Sequence, residues 1–358
     1  MKILLIATTP FVIEKGSSLR VFFMAKTLAN AGHKVDVLTY PVGNTPKIKN
    51  LRVIRVKSGY NRTGAGPSLA KTFLNLKILS EAKKLLKKNR YDVVQGEDTE
   101  AGFIACLLRG DHKLVYDMHN RMSEQLVLHK WYPLVPLAYG VEKVLFSRPD
   151  LIITNWKRVQ KQLGNRSKPA VLIYDSVTLE KSPLKFKLPQ KYIVYTGNFE
   201  HYQGVDLLVE AYWKSNTSLA LILVGPHSKK TLLRPGKKGM IKFLGRLSVN
   251  ETNYVISNSE FCVIPRVHGK QPSMKIIHYL LNKKSVLATD IECNQEILNK
   301  QNTLFVSPDT DSIANGIKKL SSSRLQTQLE KGIAKSLPSI LPTAQEKKLI
   351  QAYKNLIK

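Results

Sequence analysis

The sequence predicts an α/β protein built from two doubly wound domains, each a parallel sheet with helices on both faces. Three observations lead there. Short runs of β-branched and aliphatic residues alternate with longer amphipathic stretches along the whole chain, which is the pattern of βαβ units and parallel pairing. The alternation breaks once, in a Pro/Lys-rich stretch from Lys181 to Pro189, and then starts again. The length of 358 residues suits two domains rather than one or three.

The elements follow in order. Lys2–Ala7 reads as a buried strand, and Ser18–Ala31 carries Leu19, Phe22, Phe23, Ala25, Leu28 and Ala29 at near-helical spacing, with Gly32 as a C-cap. Val35–Leu38 is the returning strand. Further strands are expected at Arg52–Val56, Asp92–Gln95, Leu114–Tyr116 and Leu151–Thr154, with helices between them. The first domain is set at residues 1–175, a linker at 176–190 and the second domain at 191–340. The second domain reads as strand Tyr192–Thr196, helix Val205–Trp213 and strands Leu219–Val224 and Ile241–Leu244. Helix Glu251–Asn258, strand Phe261–Ile264, helix Met274–Leu281 and strand Ser285–Ala288 follow. A last amphipathic helix, Ala344–Ile357, has no strand after it, and the segment 341–358 is assigned to it. Two such domains facing each other bind a ligand at the carboxyl ends of their strands.

Composition narrows the class. The apolar fraction is 43%, enough for a buried core and against disorder. No run approaches the roughly 20 apolar residues that span a bilayer. Met1–Ala7 is too short an apolar run, with no cleavage site behind it, to read as a signal peptide. The three cysteines, Cys106, Cys262 and Cys293, are scattered in apolar contexts, which fits buried thiols in a reducing cytosol rather than a disulfide frame or zinc site. Lys and Arg number 56 against 26 Asp and Glu, for a net charge of +30. Such a surface attracts anions of any kind, yet no helix-turn-helix, aromatic RNA platform or zinc signature accompanies it.

Several loops carry polar chemistry. Gly16-Ser17-Ser18 stands at the start of the first helix, where free amides and the helix dipole suit a phosphate, or where the serines simply cap the helix. It is not Gly-x-Gly-x-x-Gly, so a nicotinamide cofactor is not supported. In Leu114-Val-Tyr-Asp-Met-His-Asn120 a buried strand runs into Asp117, His119 and Asn120, placing them at its carboxyl end; a structural or a reacting histidine both satisfy that placement. Gln95-Gly-Glu-Asp98 adds Glu97 to the same rim, either for a ligand or as helix N-terminal acids. In the second half Tyr195–Gly204 joins strand to helix through two glycines, and Gly225 ends the next strand. Pro265-Arg-Val-His-Gly-Lys-Gln-Pro-Ser-Met-Lys275 packs Arg266, His268, Lys270 and Lys275 around Gly269 at a helix N-terminus, fit for a diphosphate or for a solvated basic loop.

These tracts, taken in order, resemble retaining glycosyltransferases of the GT-B fold, family 4. The resemblance rests on the Gly16 loop, Val115-Tyr-Asp-Met-His119, Tyr195-Thr-Gly-Asn-Phe-Glu-x-Tyr-Gln-Gly204, and Pro265-Arg266 through Pro272-Ser-Met-Lys-Ile-Ile-His-Tyr-Leu280 into Ser285-Val-Leu-Ala-Thr-Asp290. It covers essentially the whole chain. It implies two Rossmann-like domains facing a cleft, with the last helix crossing back onto the first. It also implies transfer of a sugar from a UDP- or GDP-linked donor with retention, and no required metal or other cofactor. His119 matches the cleft histidine near the donor sugar, the catalytic position. Gly16 and Ser17 match the segment whose amides approach the donor diphosphate, and Gly197 lies in the second-domain loop with that role. Asp117, Asn120 and Glu97 fall on the acceptor side, Gly225 on the nucleotide side.

Four positions depart from the family pattern. An Arg and a Lys that grip the diphosphate in many members are replaced by Asn198 and Gln203. Two glutamates that contact sugar and ribose are replaced by Lys270 and His278. Arg266, Lys270 or Lys275 must then neutralise the diphosphate, and His278 is left to hydrogen-bond a ribose hydroxyl. The replacements motivate an alternative reading, a catalytically silent GT-B-like binding or scaffold subunit; a sugar-nucleotide epimerase on the same plan and a basic nucleic-acid-binding protein stand further off. The expected partners are a nucleotide-sugar donor and a glycan or lipid-linked acceptor of cell-envelope polysaccharide or glycolipid synthesis, without nucleic acid. Between Ser68 and Arg90 the sequence predicts a helix that alternates Phe73, Leu76, Leu79, Leu85 and Leu86 with a Lys cluster. Its basic face is either ordinary solvated surface or a contact with anionic lipid, which would make a cytoplasmic protein peripheral on the inner face of the plasma membrane. The basic loop Lys229–Lys238 belongs to the same exposed charge.

Overall fold

The computed structural model describes residues 1–12, 16–59, 69–128, 130–164, 169–226 and 241–357. The basic loop Lys229–Lys238 lies outside the described residues. The chain divides into two compact units, Met1–Ser176 with Thr343–Lys358, and Val177–Pro342.

The first unit runs β1 (Lys2–Ala7), α1 (Gly16–Asn30), β2 (Lys34–Thr39), β3 (Leu51–Arg55), α2 (Leu69–Lys88), β4 (Val93–Glu97) and α3 (Asp98–Leu107). It continues with β5 (Lys113–Met118), α4 (Met122–Leu128), a 3-10 turn at Tyr132–Leu134, α5 (Val135–Ser147), β6 (Leu151–Thr154), α6 (Lys157–Gly164) and β7 (Ala170–Leu172). Among the described residues its strands form one sheet in the order β3-β2-β1-β4-β5-β6-β7, with every pairing parallel. Alternate residues of the central strands feed two cores, Leu4, Ile6, Val94 and Tyr116 on one face and Ile3, Leu5, Val93 and Val115 on the other. That double burial is why these strands read as continuous apolar runs. Register aligns Ala7 with Glu97, and Glu97 with Asp117, so the acidic residues meet at one rim of the sheet.

The second unit repeats the plan. It holds β8 (Tyr192–Thr196), α7 (Val205–Ser215), β9 (Ala220–Val224), β10 (Ile241–Gly245), α8 (Val249–Ser257) and β11 (Phe261–Ile264). Then come α9 (Met274–Leu281), β12 (Val286–Thr289), α10 (Glu292–Gln295), β13 (Thr303–Val306), α11 (Thr310–Leu320) and α12 (Ser323–Ile340). The strand order is β10-β9-β8-β11-β12-β13, again parallel throughout. In both sheets the order reverses beside the first strand, at β1/β4 and at β8/β11, the switch points where doubly wound folds bind ligands. The last helix, α13 (Pro342–Ile357), belongs to the first unit, where Leu349, Ala352 and Tyr353 enter the same core as α1.

Three differences from the sequence expectations have physical causes. The stretch Lys181–Pro189 lacks regular structure but is part of the second unit. Asn253 Nδ2 ties its start through the Thr178 and Glu180 carbonyls at 2.7 and 3.0 Å, and the Ser182 amide donates to Asn250 O. Helix α2 turns Leu74, Ile78 and Ala82 into the core and packs Leu79, Leu85 and Leu86 against it, as the sequence stripe allows, but leaves Phe73 and Leu76 of that stripe exposed. Elements β7, β13, α11 and α12 were not anticipated; the two strands are three and four residues long, and α12 contains Pro338, which reads as a helix breaker.

Candidate active site

In the first unit the strand-end residues draw inward. Asp117 and His119 stand two apart on one side of the chain leaving β5, as strand alternation requires. Arg20, from α1, grips Asp117 with both arms of its guanidinium, Nε to Oδ2 at 2.9 Å and Nη2 to Oδ1 at 2.7 Å. Its Nη1 donates to Asp175 Oδ1 at 2.9 Å and to Ile173 O at 3.0 Å. Asn155 Nδ2 completes Asp175 from the other side at 3.0 Å. His119 Nε2 lies 3.0 Å from Asp117 Oδ2 and 3.3 Å from Glu97 Oε2. Gln95 Nε2 donates to Glu97 Oε1 at 2.6 Å, and the Tyr353 hydroxyl of α13 donates to Gln95 Oε1. The network thus runs from the last helix to α1 through the histidine, and all its members are buried.

Electrostatics follow from this geometry. Burial alone raises a carboxyl, but Arg20 and His119 hold Asp117 well below the usual carboxylate range. Burial alone lowers an imidazole, but Asp117, with Glu97 also accepting from it, carries His119 up to about 10. Glu97 is pushed up to about 7 by burial and by the neighbouring Asp117 charge. His119 is therefore an imidazolium at neutral pH. Its Nε2 is spent on the carboxylates, and its buried Nδ1 has no hydrogen-bond partner among the described residues. A buried donor without a partner is costly unless a ligand supplies the acceptor. Glu97, Asp117 and His119 also bring three possible ligand atoms within 4.8 Å of one another. Arg20 nevertheless occupies both oxygens of Asp117, and the imidazole carries its own proton, so these residues fit an internally neutralised cluster better than a cation site.

The remaining first-unit candidates lie apart from this network. Gly16 and Ser17 are exposed in the first turn of α1, which carries no acidic residue to compete for an anion. Asn120 is half-buried and braced, donating to Asp98 Oδ2 at 3.1 Å and accepting from Gln125 Nε2 at 3.3 Å. Asp117 and Glu97, read as rim groups, present no carboxylate to solvent: exposures of 0% and 1% follow from their service to Arg20, His119 and Gln95.

The second unit gathers basic side chains at its own switch point. After β8 the chain turns through Gly197 and a short 3-10 turn, His201–Gln203, into Gly204 and α7. Gly204 sits at φ 68°, and a Cβ there would stand 2.0 Å from Pro265 O, so the loop after β11 passes directly against it. That contact delivers Lys275, in the first turn of α9, beneath the β8 loop. Its buried Nζ donates to Gln203 Oε1 at 2.9 Å and lies 4.0 Å from the Tyr195 ring centroid. A Cβ on Gly197 would stand 2.8 Å from this nitrogen. Burial, reinforced by Arg266, holds the Lys275 ammonium well below its ordinary value.

Arg266 has a different task. Its Nε and Nη1 donate to His268 O and Gln271 O, both at 2.8 Å, and its guanidinium stacks over Tyr202, so it shapes the loop while adding charge beside Lys275. Lys270 and Asn198 are exposed. Asn198 accepts from the Glu200 amide through Oδ1 at 3.3 Å and from the Tyr195 hydroxyl through its carbonyl at 2.5 Å. His278 is buried one turn beyond Lys275 on α9. Gly225 packs under the β8 loop, where a Cβ would meet Gly197 O at 1.7 Å. The structure therefore gathers Gly197, Gln203, Gly225, Arg266 and Lys275, and leaves Lys270 outside.

Arg20, Asp175, Gln95 and Tyr353 were missed by sequence reasoning. The available signal was a charge inside an apolar run, Arg20 between Leu19 and Val21, but nothing local names its partner.

Comparison with known families accounts for both halves. Residues 15–181 match the model for glycosyltransferase family 4, and residues 190–323 match the model for glycosyl transferases group 1. The chain belongs to the family 4 glycosyltransferases. This glycosyltransferase has the GT-B fold, and solved structures align along its length. Sucrose-phosphate synthase from Thermosynechococcus elongatus aligns at TM-score 0.83 and 18% identity, covering 99% of each chain. Anabaena HepE in complex with UDP-glucose aligns at 0.75 and 14%, covering 99% of this chain and 100% of its own. WaaG, a glycosyltransferase involved in lipopolysaccharide biosynthesis, aligns at 0.69 and 14%, covering 97% and 98%. At these identities the likeness carries the fold and not the substrate. No curated protein sequence matches the chain significantly.

Proposed function

We propose that this family 4 enzyme transfers a hexose from a UDP- or GDP-linked donor, with retention, to a glycan or lipid-linked acceptor of envelope polysaccharide or glycolipid synthesis. The observation that carries the donor half is Lys275, a buried cation with a carboxamide, an aromatic face and Arg266 around it. A diphosphate supplies the negative charge that this lysine lacks, and it meets the Gly197 turn at the switch point. In this reading Lys275 and Arg266 provide the positive charge without a required metal, and His278 faces the ribose. UDP-glucose on HepE and the lipopolysaccharide role of WaaG make a hexose donor and an envelope acceptor the natural candidates.

The proposed chemistry needs no carboxylate nucleophile. The bond from the anomeric carbon to the β-phosphate oxygen breaks while the acceptor oxygen bonds on the same face. The acceptor's proton passes to the departing phosphate oxygen, and the cations stabilise its charge. His119 Nδ1–H is the donor offered to the sugar, with Asp117 and Glu97 holding the ring. No described helix is long and apolar enough to cross a membrane; we place the enzyme in the cytoplasm, peripheral on the membrane when its acceptor is lipid-linked.

The test is calorimetric titration of UDP, GDP and their hexose conjugates, followed by NMR of the product's anomeric configuration with and without chelator. His119→Ala should retain fold and donor binding and lose transfer. The second reading, a silent subunit, is motivated by Lys270 and His278 in place of the family glutamates. No affinity for any nucleotide would establish it, and normal turnover in His119→Ala would remove the histidine's assigned role.

A further inference from the structure

The last register pair of β5 and β6 is Met118 with Thr154, and the residues that follow are His119 and Asn155. Parallel pairing puts these two side by side at the carboxyl rim, on strands about 4.8 Å apart. They also share a face. Val115 and Ile153 enter the core that includes α1, while Met118, Ile152 and Trp156 enter the opposite one, so alternation turns His119 and Asn155 toward the α1 side. Each residue is 4% exposed. Each also has one buried polar atom without a hydrogen-bond partner among the described residues, Nδ1 of His119 and Oδ1 of Asn155. The orientation of the Asn155 amide is fixed by chemistry: the Asp175 carboxylate only accepts, so Nδ2 takes that contact at 3.0 Å and Oδ1 is left over. Between these ends run Asp175, Arg20 and Asp117, bonded to one another. The network therefore ends on a donor at one strand and on an acceptor at its neighbour.

We infer that Asn155 is a specificity-determining residue, whose Oδ1 and the Nδ1–H of His119 together hold one hydroxyl of the transferred sugar. Two unsatisfied buried polar atoms at adjacent positions are uncommon in a native fold and call for a partner. A single hydroxyl serves both, accepting from the imidazole and donating to the amide. At about 2.8 Å from each atom its oxygen bridges a gap of up to about 5.6 Å, enough for neighbouring strands. An ionised phosphate oxygen cannot donate and an ammonium cannot accept, so a charged group of either sign satisfies only one end. A site built to hydrogen-bond a hydroxyl rejects the analogue that lacks it, because its own polar groups are then left unpaired. This assignment rests on the reading of His119 as the group offered to the sugar, and adds the residue that tells a hydroxyl from a hydrogen there.

Calorimetric titration without acceptor tests it. The quantity measured is the affinity ratio between a nucleotide-hexose and its analogue lacking one hydroxyl, taken position by position for UDP-glucose, UDP-galactose and GDP-mannose. In the wild type one position should show a ratio of about tenfold or more. Asn155→Ala should bind the parent donor about tenfold more weakly and the deoxy analogue as the wild type does, so the ratio collapses at that position alone. Asn155→Ser keeps a donor for Asp175 on a shorter side chain; it should behave in the same way, and it covers the case in which the alanine variant fails to fold. A purely structural Asn155 would weaken parent and analogue alike, and an unchanged ratio in the variants would overturn the proposal. So would a wild type indifferent to every missing hydroxyl. In both cases nucleotide binding leaves the transferase reading standing, whereas absence of any nucleotide binding would overturn the two together.

Discussion

Lys275 Nζ lies 2.9 Å from Gln203 Oε1, so an ammonium from α9 arrives at the position where the family resemblance expects a lysine from the β8 loop. In the proposed reading the diphosphate-binding charge comes from the neighbouring helix instead of the loop, at the same place. Lys275→Met should therefore weaken nucleoside diphosphate binding by about 10–100-fold, the worth of a hydrogen bond to a charged group. Adding Gln203→Lys to that variant should restore most of the loss, because the new ammonium originates at the same point. Calorimetric titration with UDP and GDP measures both. An unaffected single variant would refute the assignment, and rescue by Gln203→Lys distinguishes lost charge from lost packing.

The same lysine should make donor binding depend on pH. Burial and Arg266 hold its ammonium well below the ordinary value, so the free enzyme gives up this proton more readily than an exposed lysine does. A bound diphosphate favours the charged form and raises that value again, so binding takes up a proton and affinity falls as pH rises. Titrations in two buffers of different ionisation enthalpy should give different apparent binding enthalpies. Identical enthalpies would mean that Lys275 is already charged before the donor arrives.

How far the sequence disclosed this arrangement depends on the range of the interaction. Strands Leu151–Thr154, Tyr192–Thr196 and Phe261–Ile264 were legible to the residue, because buried parallel strands announce themselves by composition alone. His119 and Lys275 were legible as candidates because each follows such a strand. Their partners were not, since Arg20 and Asp117 are 97 residues apart and Tyr353 and Gln95 are 258 apart, and local pattern carries no information at that distance. Likewise the Lys-rich helix α2 was visible, but that its first turns bury Leu74 and Ile78 and expose Phe73 and Leu76 is decided only by packing.

The first-unit cluster sets a pH dependence of stability with a definite sign. His119 is raised from 6.5 to about 10, so its contribution is complete below pH 6.5 and disappears as pH rises to about 10. Glu97, raised from 4.5 to about 7, acts in the same direction, since the folded state holds its proton longer than the unfolded one between those values. Asp117, held below its unfolded value of 3.8, contributes above that pH and is lost under stronger acid. Stability of this unit should therefore peak in mildly acid solution and decline toward pH 10, with His119 alone contributing about 5 kcal/mol of the loss. Urea unfolding across pH measures the curve, and His119→Gln should flatten its alkaline limb. A rise in stability from pH 6.5 to 10 would contradict the imidazolium assignment.

Tyr353 connects the last helix to the same cluster, and its hydroxyl can be removed without disturbing the packing. Tyr353→Phe keeps the ring among the core residues that include Leu349 and Ala352 but leaves Gln95 Oε1 buried without its donor. The expected cost is about 1–3 kcal/mol in urea unfolding, the penalty for an unsatisfied buried acceptor. Tyr353→Ala should cost about 3–5 kcal/mol, because a large cavity is added. The two variants also separate support of the fold from positioning. Gln95 holds Glu97 Oε1 at 2.6 Å, and Glu97 Oε2 faces His119 Nε2 at 3.3 Å, so loss of the hydroxyl loosens the carboxylate that helps orient the imidazolium. Tyr353→Phe should accordingly shift the basic limb of the pH–rate profile to lower pH while leaving nucleotide affinity unchanged. A loss of stability with an unmoved profile would confine Tyr353 to a structural role.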